Sequence, residues 1–391
     1  MRSDAAGQVA EFSPVDNEPP IRLLRRLRVV PSDGLAAGRR ALVAAAVTWL
    51  PIMAWAVATG RVPPPPGAES ILFHFGVHVR CLLAIPLLIA GEATLHAILG
   101  RICGRLVSAG LVPPDRRAAF DAGNAAIARL RDATLPWIVI AGVAIATVFL
   151  RRLDLADDSV AWALAPDGTL GFGGWWFVHV VRPIYLALSL AWLWRLGLVT
   201  LWFAKIARVG LSLVPTHPDR LGGMSVVQMM PAAFAPFTLA ASSVLAAAFA
   251  HRILSHGAHV KDLGFEALTF AVVWSLLLLL PLLVLAPLMA KTRRVAIPAY
   301  GALVGEQGRL THRRWIERQP VGDEPILSAP EIGPLADAFT MYQSVLAMQT
   351  VPIGKKTLAA VLGPIAIPFL LVTTLEIPLS QLLQQVFKIL M

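Results

Sequence analysis

Residues 267–290 read ALTFAVVWSLLLLLPLLVLAPLMA and carry no charged side chain. A helix of about 20 apolar residues crosses the roughly 30 Å hydrocarbon core of a bilayer, so this stretch is typical of a transmembrane helix. Further apolar stretches lie near residues 41–59, 79–100, 134–150, 175–203, 231–250 and 357–376. The sequence therefore predicts an all-α polytopic integral membrane protein, a helical bundle of seven transmembrane spans.

The composition excludes an ordinary soluble protein. Hydrophobic residues make up 57% of the 391 residues and charged residues 15%, whereas a soluble domain carries about 25% charge. Cys81 and Cys103 lie at opposite ends of one apolar stretch, too far apart along a helix to form a disulfide. No zinc, haem or redox cysteine pattern is present, and the sequence identifies no cofactor.

Basic residues are distributed asymmetrically between the two sides of the predicted bundle. With a cytoplasmic N-terminus, the inner segments hold 25 of the 34 lysines and arginines and the outer segments hold 6. Because basic residues favour the cytoplasmic side, we expect the N-terminus inside and the C-terminus outside. We expect a multi-pass protein of the inner (plasma) membrane of a bacterial-type cell. Its basic surface would meet anionic lipid headgroups and no nucleic acid.

The apolar stretches also divide the chain into four segments. Amphipathic stretches next to basic residues are typical of helices that lie on a membrane surface or dock a partner. The first segment, residues 1–40, is a basic cytoplasmic tail with an amphipathic part at 21–30. The second, 41–290, is a six-span bundle with cytoplasmic loops at 101–132 and 204–230. The third, 291–356, is a polar cytoplasmic segment with an amphipathic helix from Pro334 to about Gln349, and the fourth, 357–391, holds the seventh span and a short outward C-terminus.

Three ionisable residues fall inside the second and fourth predicted spans. Each costs about 2.5 to 3.5 kcal/mol at the bilayer centre, so each needs a physical reason to be there. Glu92 lies about 12 Å and Arg195 about 15 Å from the inner ends of their spans, so the two could meet. His96 follows Glu92 by one helical turn, and Glu92 could hold its imidazole. The three predict a polar track, either a structural ion pair or a gating or proton-coupling element.

Histidines are concentrated on the predicted outer side of the bundle. His74 and His78 are one helical turn apart, a spacing that can ligate one ion. The string HRILSHGAH adds three more imidazoles in a loop. The pattern is compatible with a metal or pH-sensing site, and with scattered interfacial histidines. The metal candidates are His74, His78, His251, His256 and His259.

Two arginines and one acid lie near the same outer interface. Arg80 and Arg182 stand at the outer ends of the second and fourth spans, and Glu376 ends the seventh. Glu376 could pair with one arginine and dock the last span, or both arginines could extend to the headgroups.

The string PTHPDRLGG at residues 215–223 is the most motif-like part of the chain. Two prolines and two glycines break the helix between the fourth and fifth spans, and Asp219 can accept backbone N–H groups in a turn. We interpret it as a cytoplasmic hinge loop; a gating or partner contact and catalysis are the alternatives. Its candidate residues are His217, Asp219, Arg220, Gly222 and Gly223.

Three function classes fit these features. The chain lacks the P-loop, the G-x-S-x-G nucleophile and the H-E-x-x-H zinc pair, so no enzyme class is indicated. The first hypothesis is a channel or transporter, monomeric or homo-oligomeric, that uses the polar track with the hinge loop at its inner mouth. The second is a non-catalytic scaffold or assembly factor that docks a protein partner through residues 291–349. The third is an embedded enzyme with a lipid or quinone groove lined by Trp192 or Trp202.

Overall fold

The computed structural model describes residues 13–28, 31, 35–62, 70–150, 158–164, 169–321 and 333–376. Within these ranges the regular structure is helical, and β-type pairing is limited to an isolated bridge between Leu164 and Leu170. Seven helices are long and apolar enough to cross a membrane. The prediction of an all-α chain is therefore confirmed, and its seven long apolar helices are compatible with a multi-pass membrane protein.

The seven spans and the other helices have the following bounds. Spans 1 to 7 are Ala37–Ala58, Phe75–Ser108, Leu135–Leu150, Phe172–Val209, Ser225–His256, Val260–Leu283 and Lys355–Thr373. Spans 2 and 4 each contain a π-helical turn, Val79–Ala84 and Phe177–Val181. Other helices are the N-terminal helix Pro19–Arg26, the amphipathic helix Arg117–Asp132, and a helical pair formed by Ala286–Thr311 and Gly333–Leu346.

Span 6 lies earlier in the chain than the apolar pattern predicts. The expected range was 267–290, but the helix begins at Val260 and ends at Leu283, and the next helix begins at Ala286. Pro287 has no N–H to donate to the carbonyl of Leu283, which weakens the helix at this point, and a proline suits the start of a new helix.

The N-terminal amphipathic segment packs against the bundle through one face. Its helix spans Pro19–Arg26, Ile21 is fully buried, and residues 29–30 are outside the described residues. Arg22 donates from Nη2 to the backbone carbonyl of Asp132 at 2.8 Å. Buried apolar contacts and hydrogen bonds therefore hold the segment in the end of the bundle that the sequence predicts to face the cytoplasm, which we call the inner end.

Two helix-breaking prolines are accommodated by side chains of neighbouring spans. Pro51 leaves the carbonyl of Val47 without its helical donor, and Trp176 Nε1 donates to that oxygen at 3.2 Å. Pro368 leaves the carbonyl of Pro364 free in the same way, and Ser242 Oγ donates to it at 2.8 Å. A membrane offers no water for such groups, so these bonds fix spans 4 and 5 against spans 1 and 7.

Spans 2, 4 and 5 pack closely around the buried Trp192, and a second buried tryptophan, Trp202, contacts the helix Arg117–Asp132. A Cβ on Gly91 would lie 2.6 Å from Cβ of Pro236, so only glycine permits this approach of spans 2 and 5. Trp192 donates to the carbonyl of Leu88 at 2.9 Å, and Trp202 donates to Oδ1 of Asn124 at 2.8 Å. Both indole rings are fully buried, which counts against the lipid or quinone groove expected beside them.

Candidate functional site

Four charged side chains meet at the inner end of the bundle, and we call them the charge cluster: Glu18, Arg40, Glu92 and Arg195. Arg195 donates from Nε and Nη2 to the two carboxylate oxygens of Glu18 at 3.0 and 2.7 Å. The same Nη2 lies 2.8 Å from Oε1 of Glu92, and Arg40 donates from Nη1 to Oε2 of Glu92 at 2.6 Å. The cluster is neutral when both glutamates are ionised, since their two charges balance those of the two arginines.

Each member comes from a different element. Arg40 lies in the first turn of span 1, Glu92 in the middle of span 2, and Arg195 in span 4. Glu18 directly precedes the N-terminal helix and belongs to no span. Because Arg40 contacts Glu92 from the start of span 1, the cluster lies at the level where the chain enters the bundle.

The side chains of the charge cluster are almost completely shielded from solvent. Side-chain exposure is 2% for Arg195 and 0% for Glu18, and Arg40 is the most exposed member at 11%. Nη1 of Arg195 is buried without a hydrogen-bond partner, and the guanidinium lies 5.7 Å from the centre of the Trp192 ring. Removing one member of such a buried set leaves an uncompensated charge, which strongly destabilises the arrangement.

The chain segment around Ser13 holds Glu18 in place. Nδ1 of His96 lies 2.7 Å from Oγ of Ser13, and Arg131 donates to the carbonyl of Ser13 at 2.6 Å. Val15 is fully buried against residues of spans 2 and 4. His96 thus contacts the N-terminal segment and not Glu92, contrary to the expectation, because that segment occupies the space next to span 2.

Burial raises the pKa of the Glu18 carboxyl to about 7, although Arg195 acts in the opposite direction. Glu92 raises this pKa further, and Arg131 lowers it. A raised pKa means that the inserted carboxyl binds its proton more tightly than a carboxyl in water does.

The sequence analysis identified Glu92 and Arg195, and the structure brings them together, but it missed Glu18 and Arg40. Both missed residues lie in the stretch that was interpreted as a basic cytoplasmic tail. The available signal was Glu18 before Pro19 and Pro20, because an acid before two prolines can mark the N-cap of a helix. That signal does not indicate insertion between spans.

The hinge loop is organised around the carboxylate of Asp219. Its Oδ1 accepts the N–H groups of Leu221 and Gly223 at 2.8 and 3.1 Å, and its Oδ2 accepts that of Ser225 at 3.1 Å. His217 Nδ1 lies 2.9 Å from Oδ1. Burial acts to raise the pKa of Asp219, but the backbone donors and His217 outweigh it and lower the pKa.

Three hinge-loop residues with positive φ complete this turn. Arg220 has φ 56°, and Gly222 and Gly223 have φ 67° and 93°, the left-handed region that glycine adopts most readily. The carbonyl of Arg220 accepts the N–H of Gln349 at 2.8 Å. The loop therefore links the start of span 5 to the chain that leads into span 7.

The histidines on the predicted outer side do not form one cluster. His74, His251 and His256 form a chain of rings, with centroid distances of 4.7 and 5.6 Å. His78 accepts from Trp49 Nε1 at 3.1 Å and approaches the Ile71 carbonyl at 3.1 Å, so both its ring nitrogens are engaged. Among the described residues, no group of three or more histidines, cysteines or acids could hold a metal ion.

The outer arginines contact an aromatic ring, and the acid contacts span 6. Arg80 and Arg182 lie 5.8 and 5.1 Å from the ring centre of Phe177. Oε1 of Glu376 accepts the N–H of Val260 at 3.1 Å and lies 3.4 Å from Nδ1 of His259. Glu376 thus docks span 7 through the start of span 6, where unpaired helical N–H groups favour an acid.

Comparison of the chain with protein-family models, curated proteins and solved structures found no match. The functional interpretation therefore depends on the geometry of the site alone.

Proposed function

We propose that the protein is a channel or transporter for an ion or small solute in the inner (plasma) membrane of a bacterial-type cell, with a cytoplasmic N-terminus. The observation that carries the proposal is the charge cluster, whose four buried charges come from three different spans and a segment outside the membrane. Charges buried among transmembrane helices are typical of ion and substrate pathways.

The arrangement supports a closed gate. Arg195 pairs with Glu18 and Glu92, so a shift of span 4 or withdrawal of the N-terminal segment would break ion pairs at one place. Arg40 ties span 1 to the same carboxylate. Ion pairs of this kind favour two discrete arrangements of the spans, because charges whose pairs are broken must find new partners.

A flux assay tests the proposal. Purified protein is reconstituted in liposomes, and stopped-flow light scattering follows volume changes with potassium, chloride, lactate and glycerol in turn. We expect low flux with the native chain and at least about tenfold higher flux of one solute with Glu92→Gln or Arg40→Gln, because both changes weaken the gate. No flux from any folded variant with any of the four solutes would contradict the proposal.

Glu266→Gln is the matched control. Its carboxylate accepts two hydrogen bonds from Arg252, but the pair is about half exposed, so its loss should leave the flux unchanged. Each variant must also elute as a monodisperse species, since leakage from aggregated protein would imitate flux.

A scaffold function is the second candidate, supported by the helical pair. Trp315 and Ile316 at its tip are 53% and 70% exposed, next to Arg313 and Arg314, and Phe339 is 49% exposed on the second helix. Exposed apolar side chains in a polar surround mark many docking surfaces. A pull-down in mild detergent tests this candidate: a stoichiometric partner should be lost when Trp315 and Ile316 are both changed to Ala.

A further inference from the structure

We propose that the guanidinium of Arg195 is a binding site for a small monocarboxylate, and that Glu18 is a built-in competitor that occupies it in the closed state. The inference rests on the proposed transport function and names its substrate class.

The contact geometry is that of carboxylate recognition. Nε and Nη2 of Arg195 face the two oxygens of Glu18 at 3.0 and 2.7 Å, the parallel double bond that an arginine fork makes with a free carboxylate. Nη1 is buried and has no partner, so the guanidinium retains donor capacity for a ligand atom that Glu18 does not supply.

The competing carboxylate can leave without unfolding a span. Glu92 and Arg40 are fixed in the helices of spans 2 and 1, whereas Glu18 lies in the connection before the N-terminal helix. Side-chain contacts with Arg131 and His96 hold this segment from Ser13. Withdrawal of residues 13–26 therefore exposes the guanidinium at the inner end of the bundle, towards the predicted cytoplasm.

Charge and size define the class of ligand. Once Glu18 has left, two arginines face one glutamate, and the site carries one net positive charge that an anion neutralises. The space that the Glu18 side chain itself fills beside the guanidinium corresponds to propionate. A second carboxylate would bring an unpaired negative charge next to Glu92, so monocarboxylates fit and dicarboxylates do not.

Chemical rescue tests the proposal. Glu18→Ala removes the competitor, and thermal unfolding of the variant in detergent is measured with about 20 mM propionate, propionamide or chloride at constant ionic strength. Binding to the folded state alone raises the unfolding temperature. We expect a rise of at least about 2 °C with propionate only. The native chain should respond less, because Glu18 occupies the site.

Two further variants keep the test decisive. Glu266→Ala removes a carboxylate from the exposed pair with Arg252, and propionate should not stabilise it. If Glu18→Ala does not fold, Glu18→Gln fills the same volume without the charge, and propionate should stabilise it at higher concentration.

The outcomes separate this inference from the proposed function. Equal shifts with chloride and propionate, or no shift in either Glu18 variant, would overturn the carboxylate site even if flux of another solute is found. Propionate-specific stabilisation supports the site, and it does so even if the flux assay is negative and transport itself is wrong.

Discussion

Replacing Arg195 with methionine should destabilise the folded protein strongly, and a second change at Glu18 should restore much of the loss. Arg195 donates three hydrogen bonds to Glu18 and Glu92, and all three side chains are at least 98% buried. Arg195→Met leaves two carboxylates with only Arg40 as a partner, so the cluster has one uncompensated negative charge.

The expected magnitudes follow from the charge balance. Removing one partner of a buried pair costs about 3 to 5 kcal/mol, because the remaining charge is desolvated without compensation. Glu18→Gln added to Arg195→Met restores neutrality between Glu92 and Arg40. We expect the double variant to be more stable than Arg195→Met by at least about 2 kcal/mol, a coupling typical of residues in one network.

The assay is equilibrium unfolding in mixed micelles. Increasing mole fractions of a denaturing detergent are added to protein in a mild one, and far-ultraviolet circular dichroism follows the loss of helix. The exposed pair of Arg252 and Glu266 gives the control cycle, in which the single and double changes should each stay within about 1 kcal/mol. If the effects of Arg195→Met and Glu18→Gln simply add, the charge-balance reasoning is wrong.

Three further predictions concern the hinge loop, the N-terminal segment and the orientation. Asp219→Ala should lower the free energy of unfolding by roughly 2 kcal/mol, and Asp219→Asn by less, because three backbone N–H groups lose a charged acceptor. The pKa of Glu18 is raised from 4.5 to about 7 in the inserted state, so the stabilisation of that state is complete at low pH and is lost as the pH rises through this range. Maleimide labelling of a Val15→Cys variant should therefore accelerate over the same pH range. It should not accelerate when Glu18→Gln is also present. With both native cysteines buried, an impermeant maleimide added to intact cells should label His256→Cys and not Gln319→Cys; the reverse pattern would contradict the orientation.

The spans were predictable because lipid imposes a simple rule on sequence. A segment that crosses the bilayer must be apolar for its whole length, and the window that detects it needs no knowledge of neighbours. The predicted boundary of span 6 was wrong because hydropathy does not detect a helix break between apolar residues. Residues 286–290 continue the apolar pattern, but they belong to the next helix, which begins at Ala286 and has Pro287 in its first turn.

The charge cluster was predictable only in part, for a related reason. Glu92 and Arg195 were found because a charge inside an apolar run is visible in one dimension, and their depths could be compared. Glu18 lies in a polar stretch where an acid carries no signal, and Arg40 lies at a span boundary where arginine is common. Only the folded chain shows that the N-terminal segment enters the bundle and displaces His96 from Glu92.

Stability alone does not account for the charge cluster. Well-packed apolar residues in place of a buried ion pair are often as stable or more stable, so four buried charges are a costly way to join helices. Helix packing beside the cluster is already close, since Gly91 and Pro236 bring spans 2 and 5 into contact. The cluster is also asymmetric: three of its charges lie on spans, and one lies on the N-terminal segment, which belongs to no span. In the proposed gate this segment is the member that leaves, and its withdrawal changes the site from neutral to positive. A gate of this kind should admit anions in its open state and exclude cations, and the solute panel measures that selectivity directly.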